Sequence, residues 1–135
     1  MKLNIRKLKK SDWDTLVKWW GSWPKWTTPP RDFMPGSGTS GLIVEKDKQP
    51  IVAGFLYFTN SDAVLLEWII SNPEYRDKDR KKAIELLINT AEGMCKQAGK
   101  KRMFSIGRNK SLIEIHKKLG WSVDPDPSYE IIKNI

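Results

Sequence analysis

Cysteine and histidine are nearly missing from this chain: 135 residues include one of each, Cys95 and His116. A single cysteine excludes an internal disulfide and cannot by itself organise a metal site, so no metal is expected. Long apolar runs are missing too. The longest, Ile51 to Phe58, is eight residues, a buried strand rather than a membrane span. The opening MKLNIRKLKK lacks the apolar centre of a secretory signal. No internal repeat and no low-complexity tract is visible. These absences point to a cytoplasmic protein with no membrane partner, folding as one domain over residues 1–135.

Acid is the scarcer charge. Sixteen Asp and Glu face 24 Lys and Arg, a net charge of +8. Two partners suit that balance: nucleic acid, or a small phosphorylated anion. Composition alone does not choose. No helix-turn-helix, zinc-ligand spacing or RNP-like aromatic motif is present, and the basic residues spread over many segments, which disfavours nucleic acid.

Hydrophobic spacing predicts the elements. Asn4 to Leu8 reads as a strand. Ser11 reads as an N-cap, followed by Trp13, Leu16, Val17 and Trp20 on one helical stripe. Residues 21–41 hold four prolines and four glycines and read as a long loop. Leu42–Val44, Ile51–Phe58 and Ala63–Ile70 read as strands. A helix is expected from about Lys78 to Ala98, a strand at Met103–Ile106, and a capped helix ending at Gly120. Trp121–Val123 and Tyr129–Ile132 read as closing strands. The predicted class is α/β (α+β): a mixed, mostly antiparallel sheet of about six or seven strands flanked by helices.

Two segments carry a specific resemblance. LLEWIISNPEYRDKDRKKAIELL, residues 65–87, is similar to the fourth strand, Pro-x-Tyr-Arg turn and long helix of the GNAT N-acetyltransferases. NKSLIEIHKKLGW, residues 109–121, resembles the same family's Asn-x-x-Ala-Ile-x-Leu-Tyr-x-Lys-Leu-Gly-Phe helix. The resemblance implies transfer of an acetyl group from acetyl-coenzyme A to an amine on a small molecule or peptide. It also implies that Ile69, Ile70 and Ser71 supply a strand edge to pantetheine. Arg76, Asp77, Lys78, Asp79, Arg80 and Lys81 would then form the pyrophosphate turn, and Asn109 would contact the cofactor.

The turn departs from the family pattern. Asp79 and Lys81 stand where Arg/Gln-x-x-Gly-x-Gly/Ala has glycines that let phosphates approach the backbone. Either cofactor affinity is weakened, or five nearby cations (Arg76, Lys78, Arg80, Lys81 and Lys82) carry the binding through side chains. A GNAT-like module that has lost catalysis and binds a protein partner is the alternative reading.

Glu67 interrupts an apolar strand, so burial is expected to raise its pKa toward that of a general base; a sheet-edge ion pair is the plain alternative. His116 matches the family position of a tyrosine that protonates the departing thiolate, yet it also lies on the apolar stripe of its helix. Cys95 reads as core, which favours direct attack by the amine. Five of seven tryptophans lie between residues 13 and 26. Trp19, Trp23 and Trp26 fall outside the helix stripe and suggest a wall for the acceptor, a contact for a homodimer, or a lid on the sheet.

Overall fold

The computed structural model describes residues 2–135. Its chain order is β1 (Asn4–Lys7), α1 (Trp13–Ser22), β2 (Gly41–Lys46), β3 (Gln49–Phe58), β4 (Ala63–Ser71), α2 (Arg80–Gln97), β5 (Arg102–Phe104) and α3 (Lys110–Lys118). The strands form one sheet in sequence order. β1 to β4 are antiparallel, and β5 returns parallel to β4 after α2. Two apolar layers sandwich the sheet. Val44, Val52, Leu56, Val64 and Leu66 face Ala83, Leu87, Ile88 and Ala91 of α2. Ile43, Ala53, Phe55 and Ile70 face Leu16, Trp19 and Trp20 of α1. Alternation along each strand sends successive residues to opposite helices.

Local chemistry sets the ends of the helices. Asp12, rather than Ser11, organises the start of α1: its carboxylate accepts from the Lys9 amide at 2.7 Å and from both terminal nitrogens of Arg6 at 2.8 and 2.9 Å. The Arg6 guanidinium therefore holds Asp12 below the usual carboxylate range. At the other end of α2, Gly99 takes φ +77°, and the Lys100 amide closes back on the Cys95 carbonyl at 2.9 Å. Gly41 is needed for another reason, since a Cβ there would collide with the Gly54 carbonyl of β3.

The sheet has five strands, fewer than the six or seven expected. Trp121–Val123 and Tyr129–Ile132 form no strand. Pro125 and Pro127 separate them and lack the N–H a ladder needs, and the three residues of β5 offer only a short edge. β5 stops at Phe104 because the Ile106 amide turns to the Glu67 carboxylate, 2.7 Å away, instead of to a neighbouring strand.

The loop after α1 is shorter and more ordered than expected. α1 runs on to Ser22, and one-turn 3₁₀ segments at Arg31–Phe33 and Pro35–Ser37 lay the rest across the α1 face of the sheet.

Candidate active site

The sheet opens between β4 and β5. Pairing covers only Ala63–Leu65 against Arg102–Phe104, so β4 has no partner on that side beyond Leu65, through Ile69, Ile70 and Ser71. A bulge marks the opening. Phe55 stands opposite Glu67 and Ala53 opposite Ile70, leaving Trp68 and Ile69 against Gly54 alone. Trp68 accommodates the extra residue with φ +57°, a left-handed conformation costing a non-glycine residue roughly 1–3 kcal/mol. Its side chain offsets that cost. The indole N–H donates to the Tyr57 hydroxyl at 3.0 Å, and the ring meets Trp20 and Phe33 edge to face at 6.4 and 6.2 Å.

Glu67 reaches into this opening. One carboxylate oxygen accepts from the Ile106 amide at 2.7 Å, and among the described residues no cation lies within ion-pair distance of either oxygen. Burial, reinforced by the nearby Glu130 carboxylate, outweighs the Ile106 hydrogen bond and pushes Glu67 up to about 7. A carboxyl poised there changes protonation state within the range useful to a base.

The open edge leads to the start of α2. Among the described residues, the amides of Arg76, Asp77, Lys78, Lys81 and Lys82 donate to no group of the chain. Free amides at the N-terminus of an 18-residue helix favour an anion. Asp79, the unexpected acid, is turned aside. Its carboxylate accepts from the Tyr75 hydroxyl at 2.6 Å and the Lys46 ammonium at 2.9 Å, and the two hydrogen bonds keep it below the usual carboxylate range. Asp79 is thereby matched by a cation from the β2–β3 hairpin, which leaves the surplus charge of Arg76, Lys78, Arg80, Lys81 and Lys82 available.

The tryptophans divide. Trp19 is buried in the α1 core and lines no open wall. Trp23 lies across the end of the open edge, its indole donating to the Ser71 carbonyl at 2.8 Å with the Arg80 guanidinium 5.3 Å above its ring. Trp26 is 43% exposed.

His116 is a core residue of α3. Its Nδ1 lies 2.8 Å from the Leu112 carbonyl, which can only accept, so the ring carries its proton there. Nε2 is buried without a hydrogen-bond partner, and the ring meets that of Trp121 edge to face, centroids 4.8 Å apart. Asn109 caps α3, its side-chain oxygen accepting from the Leu112 amide at 3.0 Å.

Phe33, Tyr57 and the conformation of Trp68 escaped the sequence reading. A bulge at a tryptophan carries no sequence signal, because left-handed backbone normally selects glycine or asparagine. Two surface depressions, of about 490 and 340 Å³, include no residue of β4 or of the turn at 76–79.

No family model matches the chain, and no curated protein matches it in sequence. Solved structures do resemble it. The ribosomal-protein-alanine N-acetyltransferase of Brucella melitensis superposes with a TM-score of 0.70 at 14% identity, over 98% of this chain and 100% of that one. AAC(6')-Iy, in complex with a bisubstrate analogue of CoA, gives 0.66 at 18% identity, over 100% of both chains. The PaiA N-acetyltransferase of Thermoplasma acidophilum, in complex with coenzyme A, gives 0.64 at 18% identity, over 93% of both. The open strand edge, the turn of free amides and these superpositions agree: the chain has the fold of the GNAT N-acetyltransferases.

Proposed function

We propose that the protein is an N-acetyltransferase that uses acetyl-coenzyme A and transfers the acetyl group to an amine by direct attack. The observation that carries this reading is a continuous path. An unpaired β4 edge runs from a half-buried carboxyl, Glu67, to a turn of unpartnered amides ringed by cations. The residues present fit the cofactor. Ile69 and the Ser71 amide face the open edge and offer backbone to pantetheine, with Ile70 between them turned to β3 and the Ser71 carbonyl held by Trp23. Arg76 to Lys82 offer amides and positive charge to a pyrophosphate. Asp79 is held off by Lys46 and Tyr75, so the missing glycine places no uncompensated charge on the turn.

Bound acetyl-coenzyme A supplies a thioester whose carbonyl carbon takes the amine nitrogen as the C–S bond breaks. Glu67, ionised, accepts the proton the nitrogen releases. The raised pKa suits this task, since a carboxyl near 7 takes a proton more readily than one at 4.5. Protonated Glu67 or solvent would return a proton to the departing sulfur; His116 is buried, with Nδ1 engaged by the Leu112 carbonyl, and takes no part.

Thermal shift with acetyl-coenzyme A tests the cofactor site. At a hundred times Kd the ligand adds about 2.7 kcal/mol, a shift of several degrees. A Lys81→Glu/Lys82→Glu double variant is expected to weaken binding at least tenfold and to flatten its salt dependence. No shift at millimolar ligand would refute the assignment.

A second reading, a GNAT-like module without catalysis that binds a protein partner, is favoured by Trp23, whose indole already holds the Ser71 carbonyl. Trp23→Phe removes that N–H and keeps a ring. Under the enzyme reading it tightens coenzyme A binding about fivefold, the worth of one hydrogen bond of about 1 kcal/mol no longer displaced. Calorimetry decides: unchanged affinity means that Ser71 is not part of the cofactor edge.

A further inference from the structure

The surroundings of Glu67 are aromatic and hold little else that is polar. Phe55 stands directly across from it on β3, and Tyr57 and Trp68 flank it. Phe33, from the 3₁₀ turn after α1, lies edge-on to Trp68 and is 47% exposed. Every polar group of this wall is used within the chain. The Tyr57 hydroxyl accepts from the Trp68 indole at 3.0 Å and donates to the Phe33 carbonyl at 3.2 Å. The one other acid recorded as acting on Glu67 is Glu130, which sits 3.8 Å from Arg108 and is partly neutralised by it.

Resting on the acetyltransferase reading above, we infer that the acceptor is a primary monoamine on an aromatic or branched apolar body, with its nitrogen at Glu67 and its body against Phe33 and Trp68. One unmatched carboxylate balances one positive charge. A polyamine would bring further cations to a chain of net charge +8, and beside Glu67 the one other carboxylate, Glu130, already lies against Arg108. An aminosugar would bring hydroxyl groups to a wall whose donors and acceptors are already paired, and each unmatched hydroxyl would lose its water without recompense. An apolar body loses nothing of this kind, and the faces of Trp68 and Phe33 attract an ammonium carried beside it.

The test is an acceptor panel with acetyl-coenzyme A, following thiol release: 2-phenylethylamine and isoamylamine against spermidine, glucosamine and neamine. The expected result is a kcat/KM at least thirtyfold higher for the first two. Phe33→Ala should raise KM for 2-phenylethylamine about tenfold and leave KM for acetyl-coenzyme A unchanged. Preference for spermidine or an aminosugar, or no effect of Phe33→Ala on the arylalkylamine, would overturn the inference while sparing the acetyltransferase reading. If no amine turns over, calorimetry on the coenzyme A-saturated protein decides, and spermidine binding more tightly than 2-phenylethylamine overturns it. Failure of acetyl-coenzyme A itself to shift the melting temperature removes the acetyltransferase reading and this inference together.

Discussion

Glu67→Gln is expected to lower kcat/KM by about 100-fold or more and to abolish its rise with pH near 7. Glutamine still accepts from the Ile106 amide, so the local geometry survives while the proton acceptor is lost. Burial sets the titration, opposed by the Ile106 N–H and reinforced by Glu130; the Tyr57 hydroxyl from β3 and Arg108, the partner of Glu130, are the other titratable groups nearby. The same change has a signature in stability. Burial raises Glu67 from its ordinary 4.5 to about 7, so the folded chain binds this proton more tightly than the unfolded chain. That stabilisation is complete below pH 4.5 and is lost as pH rises through about 7. The melting temperature of the glutamine variant should therefore exceed that of the parent at pH 8, with the gap closing toward pH 5. Catalysis needs the form that the fold disfavours. A pH–rate limb that persists in the variant would remove Glu67 from the base role.

The second large effect is on stability. Trp20 is fully buried at the centre of the α1 face, 5.6 Å from Trp13, 6.4 Å from Phe55 and 6.4 Å from Trp68. Trp20→Ala should cost about 3–5 kcal/mol, a large part of a domain's usual 5–15 kcal/mol. The expected fall in Tm is on the order of 10–20 °C. The loss also removes the support beneath the Trp68 bulge, so activity should fall in whatever variant remains folded. Trp20→Phe provides the control. The buried indole N–H of Trp20 has no partner, and phenylalanine discards that unsatisfied donor while filling most of the space. Its cost should be no more than about 1 kcal/mol. Equal losses for the two variants, measured by denaturant unfolding, would show that ring size is not what counts.

Legibility in the sequence followed the range of the interaction. α2 was readable because Leu87, Ile88, Ala91 and Cys95 recur at helical spacing and Gly99 ends the helix, both local signals. β2 to β4 were readable from apolar runs broken by turns. The closing strands were not, because Trp121–Val123 and Tyr129–Ile132 have strand-like composition without a partner edge to pair with. Trp19 illustrates the same limit: off the predicted stripe, it is still buried, because the cluster between α1 and the sheet takes in that side of the helix as well.

The candidate site divides along this line. From the sequence alone came the order of elements, the GNAT resemblance of residues 65–87 and 109–121, the placing of Glu67 in an apolar strand, and the excess of cations around the turn. Tertiary structure decided the rest. It parted β4 from β5 beyond Leu65, turned Asp79 onto Lys46, laid Trp23 on the Ser71 carbonyl, and set the His116 proton on Leu112. Periodicity and composition report the residues a segment carries with it. Whether a carboxylate meets a lysine 33 positions away depends on how the sheet brings distant segments together, and no local pattern encodes that meeting.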